Sequence, residues 1–213
     1  KYVNLKDAYK SLDEALTHGG ISNKVKVNLI RIESDKLKPN QISKKLKDVS
    51  GLLIPGGFGK RGTEGKISAI KYARERKIPF LGICFGMQMA IVEFARNKLK
   101  IKKAGSTELD NNCYPIIGLI EEWNKDGKII KGTDKDLGGT MRLGLYEAIL
   151  RNNSAIKKIY KSSSIKERHR HRYEVNKNLK RQFENKGLMF SGMSPDNNFP
   201  EIIEQKNHPW FIG

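Results

Sequence analysis

The chain has 213 residues, 38% of them hydrophobic and 30% charged, enough for one domain with a substantial core, or one domain with a large insertion. No apolar run reaches the length of a membrane span, the basic polar N-terminus is not a signal peptide, and two cysteines make no disulfide scaffold, so a cytoplasmic setting is expected. The formal charge of +18 is scattered through nearly every segment, which argues against a nucleic-acid partner and remains compatible with anionic small molecules.

Residues 6–18 place Ala8, Leu12, Ala15 and Leu16 on one helical face, and Gly19-Gly20 reads as the stop. Val25, Val27 and Leu29 alternate as a strand running to Ile32. A short helix carries Ile42, Leu46 and Val49. Leu52 to Ile54 is a brief strand broken by Pro55-Gly56-Gly57-Phe58-Gly59, and residues 63–76 form a helix with Ile67, Ile70 and Ala73 inward. Short apolar strands alternating with amphipathic helices predict an α/β fold. It would have three layers, a mostly parallel sheet with helices on both faces, and ligands beyond the carboxyl ends of the strands.

The apolar run 78–83 leads into Gly82-Ile83-Cys84-Phe85-Gly86 and then a helix over 87–97. A nucleophile with glycine two residues to either side is the elbow pattern, a strained strand-to-helix turn in which a Cβ at either flank would clash. A helix beginning at Cys84 is expected to lower its thiol pKa. An ordinary buried thiol is the plain alternative for a lone cysteine; the glycines, the strand and the helix together weigh against it.

Beyond residue 102 the pattern weakens. Residues 124–139 read as a polar surface loop, and Met141, Leu143 and Leu145 alternate as a strand. Residues 149–160 are ambiguous. A short helix over 179–186 ends at Gly187, and 188–192 pairs with 201–204.

Several blocks carry a family resemblance: Pro55-Gly56-Gly57-Phe58-Gly59 with Arg61-Gly62, Gly105-Ser106-Thr107-Glu108, Gly138-Gly139-Thr140-Met141-Arg142-Leu143-Gly144, and Glu167 through Asn176. In that order and spacing they resemble the glutaminase domain of CTP synthases, class I glutamine amidotransferases, over nearly all of residues 1–213. The resemblance implies that Cys84 attacks the glutamine side-chain amide and forms a thioester. It implies an oxyanion hole from the Phe85 N–H and one N–H of the Gly56-Gly57 turn, and glutamine binding by Gly57, Phe85, Gln88, Glu108 and Arg172. By type alone Glu108 is a surface carboxylate and 166–172 a solvated basic loop.

The same resemblance implies no cofactor or metal in this chain. ATP and Mg would belong to a preceding synthetase domain that aminates UTP, in a full-length homo-oligomer without membrane or nucleic-acid partners. GTP would be an activator, with Phe58 stacking on its purine and Arg61 meeting phosphates, or Phe58 merely lining the glutamine pocket. The family's general base and its partner Glu lie in a Phe-His-Pro-Glu segment that would follow Gly213, and a strand would precede Lys1-Tyr2. None of His18, His169, His171 and His208 occupies that motif. The sequence thus reads as an incomplete amidotransferase domain over 1–213. The other readings are a catalytically incomplete remnant or interaction domain of the same fold, and the amidotransferase of another pathway or a related cysteine hydrolase.

Overall fold

The structure is a computed structural model that describes residues 7–119, 122–125, 128–131 and 141–213. In chain order the elements are α1 (Lys10–Ser22), α2 (Ile42–Leu46), β1 (Leu52–Ile54), α3 (Thr63–Arg76), β2 (Phe80–Gly82), α4 (Phe85–Asn97), β3 (Ala104–Ser106) and β4 (Tyr114–Leu119). There follow β5 (Glu122–Lys125), β6 (Lys128–Lys131), β7 (Arg142–Leu150), α5 (Ala155–Tyr160), β8 (Ser164–His171), β9 (Tyr173–Val175), α6 (Lys180–Asn185), β10 (Leu188–Met193), β11 (Pro200–Gln205) and β12 (Phe211–Ile212).

The main sheet has the order β1-β2-β12-β11-β10-β7-β8, with β3-β4-β9 and β5-β6 as smaller sheets. The α/β class is as expected, but the pairing is mixed. β2 is parallel to β1 and β12, whereas β12-β11, β11-β10, β10-β7 and β7-β8 are antiparallel. The reason is local: β10 and β11 are joined by a turn in which Asp196 and Ser194 accept from the N–H of Asn198, whereas β1 and β2 are separated by a whole helix. Helices do cover both faces. Successive side chains of a strand point to opposite sides, and on β11 Ile203 joins the cluster around α4 and α6 while Ile202 packs with Ala148, Leu150, Ile165 and Ile156 of α5.

The core forms around α4, where Met89, Ala90, Ile91 and Ala95 have no exposure and meet Phe80, Phe190 and Phe211 from the sheet. α3 buries Ile67, Ile70 and Ala73 as its periodicity predicts, and it ends where Lys77 turns left-handed and donates to the Ala73 carbonyl. Inside this apolar contact Arg74 donates to both carboxylate oxygens of the fully buried Glu93, at 2.8–3.1 Å.

Three local expectations change. α1 runs through Gly19-Gly20 to Ser22; Gly20 is there because an added Cβ would stand 2.7 Å from the Val25 carbonyl, where the chain doubles back. Residues 25–32 join no sheet, and Val25 and Ile30 stand exposed: alternation alone does not make a strand without a partner for its N–H and C=O groups. Within the expected loop 124–139, β5 and β6 pair antiparallel with Trp123 opposite Ile130, so a β-branched pair flanked by lysines belongs to a strand; 126, 127 and 132–139 lie outside the described residues. The ambiguous stretch 149–160 resolves into the end of β7 and α5, whose first N–H groups, those of Ala155 and Ile156, donate to the Glu204 carboxylate.

Candidate active site

β1 and β2 end side by side, and the Ile83 N–H donates to the Ile54 carbonyl at 2.9 Å, carrying the parallel pairing one residue past the strand. The next residue, Cys84, has φ 52° and ψ −106°. A non-glycine residue held there costs on the order of 1–3 kcal/mol, which the packing on either side must offset. Both glycines are demanded by close approach. A Cβ on Gly82 would stand 2.8 Å from the backbone carbon of Gly86, and one on Gly86 only 2.1 Å from the Ile54 carbonyl oxygen. The turn thus puts Cys84 at the head of α4, its carbonyl accepting from the Gln88 N–H at 3.1 Å.

Cys84 opens into a pocket of about 320 Å³ lined by Gly57, Phe58, Gln88, Glu108, Met141, His171, Arg172 and Tyr173. Gly56 lies just behind it, since a Cβ there would touch the Cys84 Cβ at 3.6 Å. Residues from five parts of the chain therefore converge: Gly57 after β1, Cys84 and Gln88 at the elbow, Glu108 after β3, Met141 before β7, and Arg172 between β8 and β9. Of the other sequence-predicted positions, Gly56 adjoins Cys84 and Phe85 is the next residue, its side chain buried in the core. A larger and more open hollow of about 620 Å³, beside α5, is lined by asparagine, serine and lysine and contains neither cysteine nor any acidic or histidine side chain.

The polar side chains are already engaged. Glu108 Oε1 accepts from the Gly59 N–H at 2.7 Å, so this carboxylate fastens the glycine turn and is not a loose surface charge. The Tyr9 hydroxyl donates to the Gly56 carbonyl at 3.2 Å. Gln88 Nε2 donates to the Tyr173 carbonyl at 3.0 Å, tying α4 to β9. Phe58 is half exposed, and the Arg170 guanidinium lies 5.9 Å from its ring centre. Arg61 donates to Asp35 at 2.8 Å.

The expected lowering of the Cys84 pKa is not what the surroundings produce. The residue is accessible, yet its thiol lines a pocket among other side chains, and the loss of water around it pushes its pKa up. The Phe85 N–H works in the opposite direction as the helix start should, but the negative charges of Glu108 and Glu174 add to the upward push. Among the described residues no histidine hydrogen-bonds Cys84. His171 shares the pocket, but its Nε2 faces His169 Nδ1 at 2.9 Å, and burial beside His169 and Arg142 lowers its pKa to about 4. His208 contacts the Ala73 carbonyl, and His18 is on the exposed side of α1.

Residues 166–171 of the block 166–172 belong to strand β8 rather than to a solvated loop, and Arg172 is the bend between β8 and β9. Along β8, Ile165, His169 and His171 are the more covered side chains while Lys166, Arg168 and Arg170 are exposed, an alternation broken at Glu167, which is also exposed, and concealed in the sequence by the run of basic residues. Behind the pocket wall Arg142 donates to Glu174 at 2.8 Å and to Glu201 at 2.7 Å, and its guanidinium stacks on Tyr146 and Phe199. One cation between two buried carboxylates leaves one of them under-compensated. Burial, only partly offset by Arg142, raises Glu174 to about 7. Arg142 and Glu174 lie in blocks that the family resemblance singles out, but nothing in the sequence ties them to Glu201, 59 residues after Arg142.

A family model for glutamine amidotransferase class-I matches residues 4–213. The chain belongs to this family. It is 75% identical over its full length to a CTP synthase of Pelagibacter ubique and 55% identical to one of Zymomonas mobilis, spanning 40% of the length of each. The glutaminase domain of the Trypanosoma brucei enzyme, solved with bound acivicin, superposes with a TM-score of 0.87 at 29% identity, over all of this chain and 81% of that one. The amidotransferase fold and the likeness to the glutaminase portion of CTP synthases are thereby shown. Among the described residues no helix is long and apolar enough to cross a membrane.

Proposed function

We propose that this domain hydrolyses glutamine through a Cys84 thioester and supplies the ammonia to a synthetase domain that aminates UTP. The observation that carries the reading is Cys84 held at φ 52° on an elbow, facing a pocket with a carboxylate and a guanidinium on its walls. A free amino acid presents the opposite pair of charges. Glu108 meets the α-ammonium group, Arg172 meets the α-carboxylate through its planar fork, and Gln88 completes the cradle. The side-chain amide then reaches Cys84. The sulfur attacks the amide carbon, negative charge gathers on the oxygen, and N–H groups of Phe85 and the Gly56-Gly57 turn stabilise it. Ammonia leaves when its nitrogen is protonated, and water hydrolyses the thioester to glutamate.

Because the surroundings hold the Cys84 proton on, a base must remove it during attack. The reading assigns that base to the histidine that the family resemblance expects beyond residue 213. ATP and Mg serve the synthetase reaction, and GTP activates from near Phe58, with Arg61 kept by Asp35 from being a ready phosphate contact.

The test is Cys84→Ser in the complete polypeptide. Glutamine-dependent CTP formation should fall by roughly 10⁴-fold or more, with ammonia-dependent formation preserved. Undiminished use of glutamine would remove Cys84 from the mechanism, and an unmutated polypeptide with no glutaminase activity would favour the non-catalytic domain.

A further inference from the structure

We infer that Tyr9 is a positioning residue for the oxyanion hole: its hydroxyl, by holding the Gly56 carbonyl, aims the Gly57 N–H at the reacting amide. This rests on the thioester reading above. The Gly56 carbonyl and the Gly57 N–H belong to one planar peptide unit, and the described residues contain no cis peptide bond. In a trans unit the C=O and N–H point in opposite directions, so fixing one fixes the other. Tyr9 takes the carbonyl at 3.2 Å from a place outside the pocket lining, while Gly57 lines the pocket beside Cys84. The N–H must then face the cavity.

Such a hold is needed because of the sequence at the turn. Two consecutive glycines allow the peptide between them to rotate at little steric cost, and a Cβ on Gly57 would meet nothing within 4 Å. Packing therefore does not choose the orientation. The far end of the turn is fixed separately, where Glu108 accepts from Gly59, itself at φ 73°. That bond leaves the Gly56-Gly57 unit free to turn. Tyr9 stands at the start of α1, 47 residues away in sequence, so α1 is what couples to the turn.

The experiment is Tyr9→Phe in the complete polypeptide, which keeps the aromatic ring and removes the hydroxyl. Losing a hole donor outright costs about 100- to 1,000-fold in kcat; loosening its aim should cost about threefold to tenfold, with the KM for glutamine unchanged. A second probe is glutamate γ-semialdehyde. The Cys84 sulfur bonds to its aldehyde carbon, the carbonyl π pair moves to oxygen, and that oxygen takes up the thiol proton, giving a hemithioacetal whose oxygen sits in the hole. Its inhibition should weaken by the same factor as kcat, while alkylation of Cys84 by iodoacetamide, which needs no hole, keeps its rate. Unchanged kcat and aldehyde inhibition would overturn the inference. So would parallel changes in KM, kcat and alkylation, which signify general distortion. If Cys84→Ser still hydrolysed glutamine, the thioester reading itself would fall; if it is inactive and Tyr9→Phe fully active, only the role of Tyr9 falls.

Discussion

The two walls of the pocket are made by different physics. The nucleophile side, β1, α3, β2 and α4, is held by shape: parallel strands, a helix whose inner residues are wholly buried, and glycines pressed against carbonyls and backbone at distances no Cβ tolerates. Its buried ion pair joins Arg74 to the fully buried Glu93, and the second carboxylate that Arg74 reaches, Glu75 at 3.3 Å, is half exposed to water. The opposite side, β7, β8 and β9, is antiparallel, leaves Leu143 and Leu145 exposed, and is organised by Arg142 between Glu174 and Glu201 with two imidazoles beside them. A strained cysteine needs a rigid support, and shape supplies it on one side, whereas the other side is organised by buried charge.

The contrast can be broken most severely at Arg142. Arg142→Ala leaves two buried carboxylates without a cation and should destabilise the protein by about 3–5 kcal/mol, read from urea unfolding. Survival of this variant with wild-type stability would mean that the far wall is held by its apolar contacts after all. On the nucleophile side the matching lesion is steric. Gly86→Ala drives a Cβ against the Ile54 carbonyl and should cost about 3 kcal/mol, with Cys84 displaced and its alkylation rate altered. A harmless Gly86→Ala would show that the elbow has slack.

The pH dependence separates the walls more gently. Glu174, raised from 4.5 to about 7, binds more protons folded than unfolded, so its contribution makes stability fall as pH rises from about 4.5 to 7. His171, lowered from 6.5 to about 4, binds fewer protons folded, so its contribution makes stability rise between about 4 and 6.5. The two oppose each other. His169 and His208, both lowered by burial, act in the same direction as His171. His171→Asn should therefore expose a decline of stability with pH, on the order of 1–3 kcal/mol from pH 4.5 to 7, that the unmutated protein largely cancels. Equal pH slopes in the two proteins would deny the compensation. The smallest effect belongs to Glu204→Gln, which weakens the carboxylate cap on α5 and should cost about 1 kcal/mol in unfolding, leaving the Cys84 pocket untouched.

The sequence by itself determined the nucleophile side. Strand, glycine, cysteine, glycine and helix are contiguous, and local rules about turns and periodicity act on contiguous residues, so the elbow, α3 and α4 are legible within a residue or two. The sequence also assembled the candidate residues, but only through the family blocks; by type alone Glu108 and the 166–172 run are ordinary surface charges. Tertiary structure decided the rest. Residues 25–32 have the alternation of a strand, yet pairing depends on a neighbour that the segment does not itself encode. β8 conceals its more covered histidines among arginines because all are basic, and only pairing with β7 separates the two faces. The Cys84 pKa rises because the pocket around it is closed by residues distant in the chain, Glu108 and Glu174 among them, and their burial and charge outweigh the local helix start. The Arg142 cluster and the bond from Tyr9 to Gly56 join residues 59 and 47 positions apart, and no local pattern records a contact that exists only once the sheet has brought its strands together.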